Sequence, residues 1–279
     1  MRAAEILELD ALSFVEPGFA SLTEDAYTTV LLGIPATEAR LLVDMAEDPL
    51  AVAVSDGKDW YAVSFLFRKP PGEIFALCER LDAGIYQEER SAWTAAIREY
   101  YSLLLVGSTT PALEDLPPDR LPALIALLEE IWGRSKTVPC IDCCCGSGAG
   151  SAAARALGMQ PLSYDNDPAL LSLGLSASRL RPEETMWIDA AAASRYLEPV
   201  PKGIAVMMGE INPFTLEIWE DIAAELLSLV EEAIITVGTE PEARRVEGWC
   251  LAAGHRANVS ENPRHTFYDR WVCRSEKEG

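Results

Sequence analysis

The stretch that most restricts the fold runs from Thr137 to Leu157. It opens with an apolar run, Thr137-Val-Pro-Cys-Ile-Asp142, passes through Cys143-Cys144-Cys145-Gly146-Ser147-Gly148-Ala149-Gly150, and ends in an alanine-rich segment closing at Arg155-Ala156-Leu157. A short apolar run, a turn with glycines at alternate positions and a small-residue helix make one strand–turn–helix unit. Glycine suits such a turn because the backbone must bend sharply and let a ligand approach with no Cβ in the way. A glycine turn alone does not name the ligand.

Beyond it, short apolar runs alternate with helical segments: PLSYD, TMWID, GIAVMM and EAIITVG are the strand candidates, and LPALIALLEEIWGR precedes them as an amphipathic helix. Two β-like runs around Glu261-Asn262-Pro263 close the chain. Alternation of this kind predicts an α/β fold, a doubly wound and mostly parallel sheet. Asp165, at the end of the second run, stands 165 − 142 = 23 residues after Asp142. That is close to the interval of about 20 residues at which an acid reaches a ribose diol in nucleotide-binding α/β folds. Asp167 before Pro168 reads instead as a helix N-cap with proline in the first turn. The third run ends in Asp189-Ala190, another acid on the carboxyl edge where open α/β sheets bind ligands. The fourth is followed by Gly209-Glu210-Ile211-Asn212-Pro213-Phe214.

An acid and glycine turn after the first strand, an acid after the second, Asp-Ala after the third and Asn-Pro-aromatic after the fourth resemble the class I, Rossmann-like S-adenosylmethionine-dependent methyltransferases. The resemblance covers roughly residues 118 to 275. It implies a seven-stranded sheet ending in a β-hairpin, with S-adenosyl-L-methionine as cofactor. It also implies that Asp142 and the loop from Gly146 through Ser147 and Gly148 to Gly150 hold the methionine part, Asp165 the ribose, and Asp189 with Ala190 the adenine, with Cys144 and Asn166 also among the cofactor-binding residues. Asn-Pro-Pro-aromatic motifs of amino-methylating enzymes place the acceptor, which implies catalytic roles for Asn212, Phe214 and Glu210. Two departures stand out: Cys144 occupies the place of the first loop glycine, and the second proline after Asn212 is missing. Asn212-Pro213 therefore reads equally as a helix-opening turn, and Glu210 as a general base or a cofactor-edge carboxylate. A dinucleotide dehydrogenase is disfavoured because its turn is spaced Gly-x-Gly-x-x-Gly, not Gly146-x-Gly148-x-Gly150.

Residues 1–117 are expected to form a mainly helical substrate or partner domain, from the three- and four-residue apolar spacing in TEDAYTTVLL, TEARLLVDMA, GEIFALCERL and QEERSAWTAAIREYYSLLL, with Thr23 and Thr37 at N-cap positions. WYAVSFLF is short and apolar, so strand and buried helical turn both fit it. Trp93, Tyr100 and Tyr101 are expected to pack this domain. The proline- and acid-rich stretch Ser108–Pro122 sets the boundary, leaving 118–279 as the methyltransferase domain.

The formal charge of −21 over 279 residues repels phosphate backbones, so a protein side chain or a small molecule is the expected acceptor and nucleic acid a disfavoured one. Residues 1–134 carry most of the acid excess, 23 acidic against 10 basic side chains. An RNA or DNA amino-methyltransferase and an enzyme transferring the aminopropyl group of the same cofactor remain as alternatives. Seven cysteines, four of them between 140 and 145, are too crowded for a disulfide framework and fit a reducing compartment. With His255 and His265 as the only histidines and successive strand side chains pointing apart, no metal site is expected. No signal-peptide pattern or long apolar run is present, so a soluble cytoplasmic protein is expected. The sequence does not fix the oligomeric state.

Overall fold

The computed structural model describes residues 1–114, 116–134 and 137–278; Asp115, inside the proline-rich stretch, lies outside them. The chain divides into two compact units, Met1–Leu104 and Leu105–Gly279. The division falls ahead of the proline-rich stretch.

The first unit is a mixed α/β layer, not the mainly helical one its sequence suggests. In chain order it contains α1 (Arg2–Ile6), β1 (Ser13–Phe14), α2 (Ala26–Leu32), β2 (Glu38–Val43), β3 (Pro49–Ser55), β4 (Trp60–Ser64), α3 (Gly72–Arg80), β5 (Gly84–Gln87) and most of α4 (Arg90–Ser108). The strands form one sheet in the order β1-β4-β3-β2-β5. EARLLV was expected to be helical but is β2, pairing antiparallel with β3 and parallel with β5. Its Leu, Ala and Val fit either periodicity over six residues, and sheet neighbours on both sides decide the outcome. β3 is buried along nearly its whole length, as a central strand covered on both faces should be. WYAVSFLF resolves into strand β4 over Trp60–Ser64.

The expected threonine caps are absent. Thr23 ends a 3-10 turn, α2 begins after Asp25, and Thr37 Oγ1 donates to the Ser55 carbonyl beside β2. Trp93 is fully buried, Phe14 packs edge-on against Tyr100 at 4.8 Å, and Tyr101 donates its hydroxyl to the Glu16 carbonyl. A buried ion pair joins Glu16 to Arg68.

The second unit holds α5 (Arg120–Trp132), β6 (Pro139–Cys143), α6 (Ala149–Ala156), β7 (Gln160–Asp165), α7 (Pro168–Ser176), β8 (Thr185–Trp187), β9 (Val200–Ala205), α8 (Leu216–Leu229), β10 (Val230–Val237), α9 (Glu240–Ala252), β11 (His255–Glu261) and β12 (Trp271–Lys277). Its seven strands lie in the order β11-β12-β10-β9-β6-β7-β8. All neighbours pair in parallel except β12, which runs antiparallel to both β10 and β11. Every strand candidate of the sequence is present, and the order reverses direction at β6 and β9. That switch point is where open α/β sheets carry their ligands. Leu124, Leu127 and Leu128 of α5 pack with Ala153, Ala154, Ile204 and Ile234 to form the main core. Among the described residues no helix is long and apolar enough to cross a membrane.

Candidate functional site

The glycine turn is held from beneath by Asp142. This side chain is fully buried on β6; its Oδ2 accepts the Ser151 hydroxyl at 2.5 Å, and Ser151 in turn lies 2.5 Å from Ser163 Oγ on β7. Among the described residues, Oδ1 has no hydrogen-bond partner. Burial drives the Asp142 carboxyl up to about 7, against the lowering pull of the Ser151 hydrogen bonds. A Cβ on Gly150 would stand 2.6 Å from Asp142 Oδ1 and 2.6 Å from Val206 Cγ2, so glycine there lets α6 sit directly on the carboxylate. Gly148, with φ +87, caps α6 in the left-handed region, and a Cβ there would meet Leu180 at 2.7 Å.

Cys144 also has positive φ, 51, which explains why glycine would suit the position it occupies. Of the four crowded cysteines, Cys140, Cys143 and Cys145 are buried and Cys144 is part-exposed, with Cys143 Sγ 3.8 Å from Cys144 Sγ. All seven cysteines are free. Among the described residues, no group of three or more His, Cys, Asp or Glu is placed to hold a metal.

Above the turn opens a cavity of about 390 Å³. One side is formed by Cys144, Gly146, Ser147, Asp165, Asn166 and Ala190. Asp165 Oδ2 accepts the Gly146 amide at 2.8 Å and Oδ1 accepts the Asp167 amide at 2.8 Å. Burial raises its carboxyl above the usual range, opposed by the hydrogen bonds from the Asp167 and Gly146 amides. Asp167 is the N-cap of α7, accepting from Ala169 and Leu170 with Pro168 behind it. Asp189 caps the short turn after β8, accepting from Ala191 N at 3.0 Å; its neighbour Ala190, not Asp189 itself, lines the cavity.

The opposite side is built from residues the sequence did not single out: Val206 to Gly209 after β9, Ile218, Trp219 and Ile222 on α8, and Arg120 on α5. Met207 takes φ 56; its amide donates to Thr236 Oγ1 at 2.6 Å, and Thr236 Oγ1 donates to Asp269 Oδ1 at 2.6 Å. Asp269 Oδ2 accepts Arg120 Nε at 3.1 Å. The one sequence signal for this chain of contacts was an arginine at the first turn of a helix, where the dipole disfavours a cation unless an acid answers it.

The proposed acceptor clamp is not brought to this cavity. Glu210, Asn212 and Pro213 line a separate pocket between α8 and α9, and Phe214 is 93% exposed. Asn212 Oδ1 accepts the Phe214 amide at 2.8 Å, an Asx turn that opens α8. The Asn212 carbonyl also accepts the Thr215 and Leu216 amides, so this residue holds the turn that leads into α8.

No protein-family model matches the sequence, and no curated protein matches it. Among solved structures, the chain is similar to magnesium protoporphyrin IX methyltransferase from Synechocystis, with 12% identity, 66% of this chain and 97% of that one covered, and TM-score 0.45. It is also similar to a precorrin-6y C5,15-methyltransferase from Geobacter metallireducens, with 10% identity, 62% and 95% covered, and TM-score 0.43. A third is an S-adenosylmethionine-dependent methyltransferase from Clostridium acetobutylicum, with 8% identity, 59% and 94% covered, and TM-score 0.45. Those values are low, and the fold rests on the observed strand order. With seven strands, a glycine turn after the first, acids ending the next and an antiparallel hairpin at the far edge, the second unit has the fold of the class I S-adenosylmethionine-dependent methyltransferases.

Proposed function

We propose that the protein is an S-adenosyl-L-methionine-dependent methyltransferase whose cofactor occupies the cavity over β6, β7 and β8. The observation that carries this is Asp165: a buried carboxylate, fixed by two backbone amides, lining a cavity whose floor is the glycine turn. A carboxylate retains acceptor capacity beyond the two bonds it already makes, enough for a ribose diol. Ser147 and Ala149, at the N-terminal end of α6, present the positive end of that helix to the cavity, which suits the methionine carboxylate. Ala190 and the apolar wall of α8 suit a flat purine.

When bound, the cofactor supplies a methyl carbon already activated by its sulfonium, so the protein's task is positioning and exclusion of water. Asp165 fixes the nucleoside, and Asp142 holds the turn from below without lining the cavity. Met207, Met208 and Trp219 form a dry wall on the side where an acceptor enters. The acidity of the first unit and the net charge of −21 favour a protein or small-molecule acceptor over nucleic acid. Seven free cysteines, six of them buried, fit the reducing cytoplasm.

Incubation with cofactor labelled on the methyl group, followed by separation of the protein, RNA and metabolite pools of a cell extract, tests this reading. Label in the protein or metabolite pool with adenosylhomocysteine as by-product is expected. Methylthioadenosine as by-product would instead mean aminopropyl transfer, and label in RNA would overturn the acceptor class.

A further inference from the structure

Arg120 is 9% exposed, yet it lines the cavity. Asp269 takes its Nε, and the guanidinium lies over the Tyr268 ring, 4.5 Å from the centroid. Tyr268 is itself held by its amide donating to His265 Nδ1 at 2.9 Å, and the loop before β12 is fastened by Asn262 Nδ2 donating to the Asp269 carbonyl at 2.8 Å. Among the described residues, neither Nη1 nor Nη2 of Arg120 has a protein acceptor. A planar fork with one edge spent on Asp269 and one face on a ring offers its remaining edge to a bidentate anion.

We propose that Arg120 is the carboxylate receptor of the acceptor subsite, so that the molecule methylated carries a carboxylate group. This rests on the methyltransferase reading above and deepens it. Two observations assign the arginine to the acceptor and not to the cofactor's own carboxylate. First, its supports lie on the other flank of the sheet: Asp269 precedes β12, Thr236 is on β10 and Met207 follows β9, whereas Asp165 and Ala190 end β7 and follow β8. Second, the cofactor's carboxylate already has the N-terminal end of α6, lined by Ser147 and Ala149. The lining of the cavity also includes the apolar side chains of Met207, Met208, Ile218 and Trp219. The acceptor that fits is therefore a small molecule with an apolar body and a carboxylate end.

The test uses the whole chain saturated with S-adenosylhomocysteine and titrates acetate, benzoate and indole-3-acetate, each against its uncharged amide. At least one carboxylate is expected to bind about tenfold or more tightly than its amide, and Arg120→Gln is expected to abolish that preference while changing adenosylhomocysteine affinity by less than about twofold. If Arg120→Gln fails to fold because Asp269 is left buried and unpaired, Arg120→Gln with Asp269→Asn removes both charges together. The wild-type comparison of carboxylate with amide needs no variant. Failure of the wild type to bind adenosylhomocysteine at all would sink the methyltransferase reading itself. If adenosylhomocysteine binds but no carboxylate outdoes its amide, the inference about Arg120 fails alone. Loss of adenosylhomocysteine affinity in Arg120→Gln, with methylthioadenosine binding unchanged, would assign the arginine to the cofactor's carboxylate and overturn the inference equally.

Discussion

The Asp165 carboxylate and the Gly146 amide lie 2.8 Å apart, so the acid that ends β7 directly shapes the turn that follows β6. The same carboxylate accepts the Asp167 amide. One side chain thus sets two loops at the cavity floor. Asp165→Ala should weaken adenosylhomocysteine binding by about 1.5–3 kcal/mol, the worth of charge-assisted hydrogen bonds. Because burial raises the Asp165 carboxyl, wild-type affinity should fall as pH drops through that raised range and the acceptor oxygens take up a proton. Asp165→Ala should flatten the dependence. Titration calorimetry at several pH values measures both, and an unaltered pH profile in the variant would remove Asp165 from the role.

Asp142 makes an independent pH prediction for stability. Its carboxyl rises from 3.8 to about 7 in the fold. The native state therefore binds more protons than the unfolded one between those values, and stability from this group falls as pH rises through the window, by up to about 1.4 kcal/mol per unit. Asp142→Asn should remove that slope. Urea unfolding at pH 5 and pH 7 compares the two proteins, and a wild type whose stability relative to the variant does not fall on going to pH 7 would show the carboxyl to be ionised throughout.

Gly150→Ala should destabilise by about 1–3 kcal/mol, the usual range for overpacking, because its Cβ meets Asp142 and Val206. Gly148→Val should be at least as damaging, since it adds a branched side chain at φ +87 against Leu180. Cys143→Ala or Cys145→Ala only trims a small buried group. Thermal unfolding of the four variants should place both glycine variants below both cysteine variants.

Asn212→Ala should cost about 1 kcal/mol through loss of the Asx turn that opens α8, with adenosylhomocysteine affinity intact. A loss of stability below measurement together with a large fall in methyl transfer would return Asn212 to the acceptor site.

The second unit was legible in the sequence because its strands are short apolar runs separated by helices long enough to show their own period. Asp165 and the glycine turn were legible because strand ends fix where acids fall. Three things were not. EARLLV and WYAVSFLF are too short for period to separate strand from helix, and sheet pairing decided them. Arg120 and Asp269 are 149 residues apart, and no local spacing links an α5 terminus to the loop before β12. Asn212-Pro213-Phe214 had the composition of an acceptor motif, but the chemistry of Asn212 is used on its own backbone.

The central claim is that the cavity over Gly146, Asp165 and Ala190 binds S-adenosyl-L-methionine. Titration calorimetry of the purified whole chain with S-adenosylhomocysteine tests it most directly. One site per chain with a Kd of about micromolar order, weakened in Asp165→Ala and unchanged in Asn212→Ala, is the predicted result. No detectable binding to the wild type, or equal binding to all three proteins, would contradict it.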